Sequence, residues 1–595
     1  MASIFNSYMG VVPKKNKFNL SHTHKYTANM GWLVPVMVQD VLPNDSAQCS
    51  VSSLIRFAPL LAPMLSEVDV YFHAFFVPER IVWHGAEDFF TGSHNGKQLG
   101  SMDIPQRPRL SASGPDAIAV CNSSHQPDAF SVPNLFGLGS LADYLGFQTA
   151  VTNNGLNPDT FGFDVDQMPF RVYQRIWNDY YRDENLTYGD TLNPTLSDWD
   201  LVWQSSGTKP LFDWLVSDTT EGGEGFDVDA GIELMKLRRR SWKKDYFTSA
   251  LPWPQKGEDV LIPAINSIPS VINLNQNLQY NAFTNIGNTP IPSDSPLKTT
   301  NIDVVNPGSG ISVGTNPTAS SVSNIGINPY HLYINGTRLN DSIDYGTIRD
   351  LRRAMAAQRF LERKAVGGSR YQEQNLAFFG IKGSDARLQR AEFLGGVKNP
   401  VVVSQLLQTS ESTDHSPLGQ PAGNAVSAGN GFLFKRTFEE YGWIMVIASV
   451  MPKADYMTGT PRMYLRKDVY DFYWPQFAKI GEQPIFNQEL FTNHNVSESD
   501  SKSWNNQTFG YTPRYAEYRF KNNSVSGDFR GSLSFWTLAR NFDESSLPKL
   551  NGSFVECKPS NRIFAVETES YHHLWCECAF DFRMLRPIPK YAENV

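Results

Sequence analysis

Apolar residues in the N-terminal part of the chain gather in three short runs, Trp32 to Val41, Cys49 to Phe57 and Val68 to Val77, separated by turns containing Pro or Asp. Runs of this length rich in Val, Phe and Tyr predict strands. In Val68-Asp-Val-Tyr-Phe-His-Ala-Phe-Phe-Val77 both alternating sets are largely apolar, so this strand is expected to be covered on both faces. Three runs near the other end read the same way: Trp443 to Val450, Tyr515 to Lys521 and Tyr571 to Met584. The last places Leu574, Cys576, Cys578, Phe580, Phe582 and Met584 on one face. Neither group closes a two-layer core alone. Pairing them across the chain, with the middle as long excursions between strands, gives a mainly β fold, an elaborated β-sandwich.

The middle is mixed. Tyr345 to Gly367 reads as a helix: Thr347 caps it with Asp350 three residues on, Ile348, Leu351, Met355 and Leu361 form its stripe, and Gly367-Gly368 ends it. Phe170 to Arg182 is a second candidate. Leu261 to Asp344 is rich in Asn, Ser, Thr, Pro and Gly, with turn signals at Asn316-Pro317 and Asn335-Gly336. It is too long for a structureless connector in a compact domain, which makes it either an ordered projecting insertion or a mobile lid.

Composition narrows the class. The 595 residues are 41 % hydrophobic, 13 % aromatic and 19 % charged, so the chain has ample material for a large core. A net charge of −8 argues against coating nucleic acid with the whole surface and leaves room for local basic patches. Five scattered cysteines, Cys49, Cys121, Cys557, Cys576 and Cys578, make no disulfide framework and point to synthesis in a reducing cytoplasm. The start shows no secretory signal. The longest nearly apolar run, Tyr441 to Met451, is about half the ~20 residues that cross a bilayer, so a soluble protein without membrane insertion is expected.

Metalloprotease, P-loop, nucleophile-elbow and complete Ca²⁺-loop motifs are absent, and no cofactor is implied. Asp227 with Asp229 and Glu439 with Glu440 are carboxylate pairs for which solvated surface positions are the ordinary explanation. Cys576 and Cys578, on one strand face roughly 7 Å apart, suit zinc only with ligands from elsewhere; buried Cys usually behaves as a small hydrophobe. Two basic clusters carry a nucleic-acid hypothesis. Lys14, Lys15, Lys17 and Lys25 sit with Phe18 and Tyr26 in an N-terminal arm, residues 1–30. Lys236, Arg238, Arg239, Arg240, Lys243 and Lys244 surround Trp242. Cations attract phosphate and interleaved aromatics stack unpaired bases; the competing explanation is a solvated or subunit-facing charge run. Arg349, Arg352, Arg353, Arg359 and Arg363 flank the long helix's stripe and suit ion pairing with a neighbour.

Several uninterrupted stretches resemble the major capsid protein of the Microviridae, most closely the gokushovirus-like branch. They begin with Phe18-Asn-Leu-Ser-His22, Asp40-Val-Leu-Pro43 and Phe75-Phe-Val-Pro-Glu-Arg-Ile-Val-Trp83. Pro169-Phe-Arg-Val-Tyr-Gln-Arg-Ile-Trp177, Tyr181-Arg-Asp-Glu-Asn-Leu186 and Asp245-Tyr-Phe-Thr-Ser-Ala-Leu-Pro-Trp-Pro-Gln-Lys-Gly257 follow. Leu361-Glu-Arg363, Gly367-Gly-Ser-Arg-Tyr371, Asp385-Ala-Arg-Leu-Gln-Arg390, Phe393-Leu-Gly-Gly396, Tyr470-Asp-Phe-Tyr-Trp-Pro475, Ile480-Gly-Glu482, Arg514-Tyr-Ala-Glu-Tyr518 and Arg586-Pro-Ile-Pro589 carry it to the end. Leu196 to Asp229 and Leu261 to Asp344 depart from it.

The resemblance implies an eight-stranded viral jelly roll over residues 31–595, a variable surface insertion at about 261–344 near three-fold axes, and assembly into the smallest icosahedral shell around circular single-stranded DNA. It implies as partners other copies of the chain, an internal scaffolding protein, a DNA pilot protein and a host surface receptor, with assembly in the bacterial cytoplasm and residence in the virion. It implies no enzyme. Interior DNA contacts are expected from Trp242, its cluster and the N-terminal lysines. An extended tail, 586–595, is expected to lie on a neighbour through Arg586, Pro587, Pro589 and Tyr591. The alternative from another class is a carbohydrate-binding or carbohydrate-active β-sandwich, motivated by the aromatics, carboxylates and long loop.

Overall fold

Strict alternation in Ser46–Phe57 and Leu574–Arg586 sends every second side chain into one core, and the rest of the architecture follows from what covers that face. A computed structural model describes residues 14–83, 85–91, 107–113, 138–147, 162–187, 234–257, 285–286, 289–290, 302–303, 312–313, 333–334, 337–338, 348–367, 371–380, 384–407, 421–495, 504–568 and 571–590. Its principal strands are β1 (Asn16–Asn19), β2 (His22–Ala28), β3 (Val34–Val41), β4 (Ser46–Phe57) and β5 (Val68–Pro78) from the first part of the chain. From the later part come β6 (Glu392–Pro400), β7 (Val402–Leu407), β8 (Pro421–Thr437), β9 (Gly442–Pro452) and β10 (Leu574–Arg586).

Two antiparallel sheets result. In the six-stranded one β1 and β2 share an edge against β10, followed by β4, β8 and β7; the four-stranded one runs β3, β9, β5, β6. β2 pairs with β10, β3 with β9, β4 with β8 and β5 with β6, so early strands meet late strands in reverse order. A long hairpin wound into a sandwich in this way is the jelly roll, with β1 and β7 added at its edges.

Between the sheets lie Cys49, Val51, Ile55 and Phe57 of β4, Phe72, Ala74 and Phe76 of β5, and Leu574, Cys576, Cys578, Phe580, Phe582 and Met584 of β10. Each large side chain so buried contributes about 1.5–3 kcal/mol. The other face of β5 gives Phe75 and Val77 to a second core, with Met445 and Ile447 of β9 and Phe170, Val172, Tyr173 and Ile176 of helix α1 (Met168–Ile176). Both faces of β5 are therefore covered, as its doubly apolar pattern requires. A π-helical turn, Trp177–Tyr181, continues α1 to the end of the helix read in the sequence.

Local readings differ at two places. Tyr515 to Lys521 is not a strand: Tyr515 has φ 62°, in the left-handed region, and opens a 3₁₀ turn at Ala516–Tyr518. The strand next to it is Thr508–Pro513, paired with Glu482–Phe486. Much of the segment read as an N-terminal arm is instead the sheet edge formed by β1 and β2.

The chain divides into two compact units, Met1–Pro254 with Gly367–Val595, and Gln255–Val366. The jelly roll belongs to the first, as does helix α3 (Tyr371–Phe379), whose range follows that of α2 (Ile348–Val366) in the second unit. α2 is the long helix expected at Tyr345 to Gly367. Within 261–344 three antiparallel strand pairs are described, Asn285–Ile286 with Thr289–Pro290, Ile302–Asp303 with Ser312–Val313, and Tyr333–Ile334 with Thr337–Arg338. The rest of that insertion, and its expected place on a surface, lie outside the described residues, as does Leu196 to Asp229.

Candidate functional site

The basic segment around Trp242 is built into the fold. Leu33 donates its backbone N–H to Arg238 O at 3.0 Å, Arg240 donates to Gly31 O at 2.8 Å, and Cys557 donates to Arg240 O at 2.7 Å, so the segment is stitched between two others. Gly31, at φ 85°, permits this approach: a Cβ there would lie 2.0 Å from Cys557 O. Each guanidinium then finds an aromatic face of the same chain. Arg238 stacks on Trp177 at 4.2 Å, Arg239 on Trp32 at 4.0 Å and Arg240 on Tyr71 at 4.1 Å. Lys244 pairs with the buried Asp183, Lys236 is half-buried and Lys243 is exposed. Trp242 is 4 % exposed, its ring under Arg540, and has no face open to a base. Sequence pattern alone does not separate cations that await phosphate from cations that already cover rings.

Of the N-terminal lysines, Lys14 and Lys17 are exposed and Lys15 is half-buried. Lys17 on β1 stands opposite Leu585, and Lys25 on β2 lies 3.9 Å from Glu577 on β10. Along α2, Arg349, Arg352, Arg353, Arg359 and Arg363 are all exposed, together with Leu351, Met355 and Phe360. The apolar stripe that predicted this helix is thus largely open. In the tail, Arg586 is tied inward: Nε donates to the buried Asp45 Oδ2 at 3.0 Å and Nη2 to Asp40 O at 3.1 Å. Pro587 is half-buried, Pro589 is exposed, and Tyr591 lies outside the described residues.

Cys576 and Cys578 face the sandwich core beside Tyr26, and burial pushes the Cys578 thiol up to about 12. They serve as small hydrophobes. Among the described residues no three His, Cys, Asp or Glu are grouped to hold a metal. Glu440 is in an ion pair with Arg80 at 2.6 Å; Asp227 and Asp229 lie outside the described residues. No helix among the described residues is long and apolar enough to cross a membrane.

Sequence reasoning did not single out the exposure of the loop between Pro461 and Ile480. Its rings point outward: Tyr464 is 70 % exposed and Tyr470 69 %, with Phe472, Tyr473, Trp474 and, nearby, Tyr518 and Phe520 also open. Beneath them the backbone is fixed. Trp474 Nε1 donates to Val469 O at 2.9 Å, and the Tyr515 hydroxyl donates to Phe472 O at 3.2 Å. The Lys467 and Asp468 N–H groups donate to Asp471, holding its carboxyl below the usual carboxylate range. Arg462 anchors the base through the buried Glu489 at 3.0 Å, and Arg466 covers Tyr518 at 4.4 Å. Exposed rings on an ordered backbone form a surface prepared for contact. The dense aromatics of Tyr470-Asp-Phe-Tyr-Trp-Pro475 were the available signal.

The second open surface is the outer face of the six-stranded sheet, where alternation exposes Trp575, Glu577, Ala579, Asp581, Arg583 and Leu585 of β10. Arg56 of β4 and Thr27 of β2 flank Trp575 in register. A cleft of about 970 Å³ opens beside them, lined by Tyr571, Leu138 and His572 among others.

A wound sandwich with an ordered loop of exposed rings and exposed side chains along one sheet face is a fold that viral capsid subunits share with lectins and cupins. The chain belongs to the phage capsid protein (F protein) family, which it matches over residues 9–595. It is similar to capsid protein VP1 of Chlamydia phage 1, 31 % identical over 632 residues that span 100 % of this chain and 98 % of the relative. Capsid protein VP1 of Bdellovibrio phage phiMH2K is 31 % identical, over 97 % and 95 % of the two chains. That of Spiroplasma virus 4 is 28 % identical, over 99 % and 96 %. These relatives are gokushovirus-type Microviridae, and the chain is a capsid protein of the virion. The family match does not favour the carbohydrate-active sandwich.

Proposed function

We propose that the chain is the major subunit of a small icosahedral shell that encloses a circular single-stranded DNA genome. It assembles in the bacterial cytoplasm with an internal scaffolding protein and a DNA pilot protein, and works by binding, without a catalytic step. The observation that carries this reading is the Pro461–Ile480 loop, whose exposed rings stand on an anchored backbone. Such rings in water favour burial against another protein surface, and a subunit held by several neighbours at once needs only modest affinity at each contact. The open stripe and arginines of α2 and the segment after Arg586 supply further contacts with other copies. Insertion 261–344 fits host attachment, because its polar, turn-rich composition differs from the rest of the chain.

Co-expression of the chain with the phage's other structural proteins, followed by nuclease treatment of purified particles, tests the proposal. The expected result is protected circular single-stranded DNA inside uniform shells. Particles that protect only duplex DNA or RNA would contradict the assignment of the cargo.

A further inference from the structure

We propose that the open face of the six-stranded sheet holds single-stranded nucleic acid, with the Trp575 indole as a base-stacking platform and Arg56 and Lys25 as phosphate contacts beside it. This rests on the reading of the chain as a shell subunit around DNA, and it assigns the contact surface that the buried Trp242 does not provide.

The geometry begins with the period of two in β10. Six of its side chains fill the core, and the alternate set, beginning with Trp575, faces water; the indole is 49 % exposed on a rigid, doubly paired strand. Arg56 stands directly across on β4, and one ladder step along β2 from Thr27 is Lys25. Neighbouring strands are separated by about 4.8 Å, so an indole face and two cations lie within one nucleotide's reach. Tyr571 adds a second exposed ring at the cleft. The cleft's roughly 970 Å³ is within the usual range for a small-ligand site, about 300–1,000 Å³.

Charge selects the ligand. The whole chain carries −8, yet this face bears Lys17, Lys25, Arg56, Lys435 and Arg583 against Glu577 and Asp581, with Asp143 the further carboxylate at the cleft. Arg583 pairs with Asp581 at 2.9 Å and Lys25 approaches Glu577 at 3.9 Å. Among the described residues no carboxylate pairs with Lys17, Arg56 or Lys435, whose charges remain available to phosphate. Ser50, Ser52 and Ala579 between them keep the surface low. A neutral glycan has no use for the excess cations.

The test measures binding of a fluorescein-labelled oligo(dT) to the full-length chain by anisotropy, over a series of salt concentrations. Trp575→Ala is expected to weaken binding about 5- to 150-fold, the range for loss of one base stack, while Trp575→Phe retains most of the affinity. Arg56→Ala is expected to weaken binding and to reduce the salt slope by about 0.7. Unchanged thermal transitions in these variants exclude misfolding as the cause. Wild-type affinity in both Ala variants, or an equal loss in Trp575→Phe and Trp575→Ala, overturns the proposal. So does binding of neutral oligosaccharide at this face in place of oligo(dT). If Trp575→Ala chains form shells and also bind oligo(dT) like wild type, the cleft assignment falls and the shell reading stands; failure of the wild-type chain to form shells removes that reading itself.

Discussion

His73 sits on β5 with its Nδ1 2.7 Å from the Tyr181 hydroxyl and its ring stacked on Tyr181. Burial, with a smaller contribution from Arg240, lowers its pKa from 6.5 to about 4. The unfolded chain therefore binds this proton more readily, so stability is fully present above pH 6.5 and is lost as pH falls towards 4. Urea titrations of the unassembled chain should show a loss of about 2–3 kcal/mol from this group over that window, and a shallower pH slope in His73→Gln. A second residue-scale prediction concerns Arg586. Asp45, with no side-chain exposure, receives the Leu42 N–H and the Arg586 guanidinium, so Arg586→Ala leaves a buried carboxylate with one partner fewer. A cost of about 3 kcal/mol is expected by denaturant titration, with part recovered when Asp45→Asn is added. A cost near that of a surface pair, about 0.5 kcal/mol, would contradict this account. The sequence marked Arg586 as a residue of interest but could not supply its partner, because Asp45 lies at the far end of the chain.

At the scale of elements, the periodic signals were the most informative. The doubly apolar Val68 to Val77 run predicted a strand covered on both sides, and its two cores are observed. The inward set of β10 was legible residue by residue, because a period of two admits one assignment once one face is apolar. Tyr515 to Lys521 misled because its aromatic content suits a strand, while the left-handed Tyr515 that breaks it leaves no mark in composition. The Trp242 segment is ambiguous in the sequence because stacked arginines and phosphate-binding arginines have the same pattern. For the loop at Pro461–Ile480, Tyr470→Ser with Trp474→Ser should reduce assembly at least tenfold by sedimentation while leaving the thermal transition of the unassembled chain within about 2 °C, since both rings are exposed. An equal loss of folding and assembly would show that the rings serve the subunit's own core.

For the whole molecule, the jelly roll was within reach of the sequence only as a sandwich made from both chain ends. Its winding order depends on pairings such as β2 with β10 that span nearly the full chain, and these came first through resemblance. The same pairing places charge where composition could not: a chain of −8 presents a cationic sheet face. The open aromatic loop has consequences only when many copies meet. Electron microscopy of the purified full-length chain, produced with its assembly partners, measures this most directly. Closed shells of one uniform diameter are predicted; a field of monomers or small oligomers under the same conditions would contradict the account.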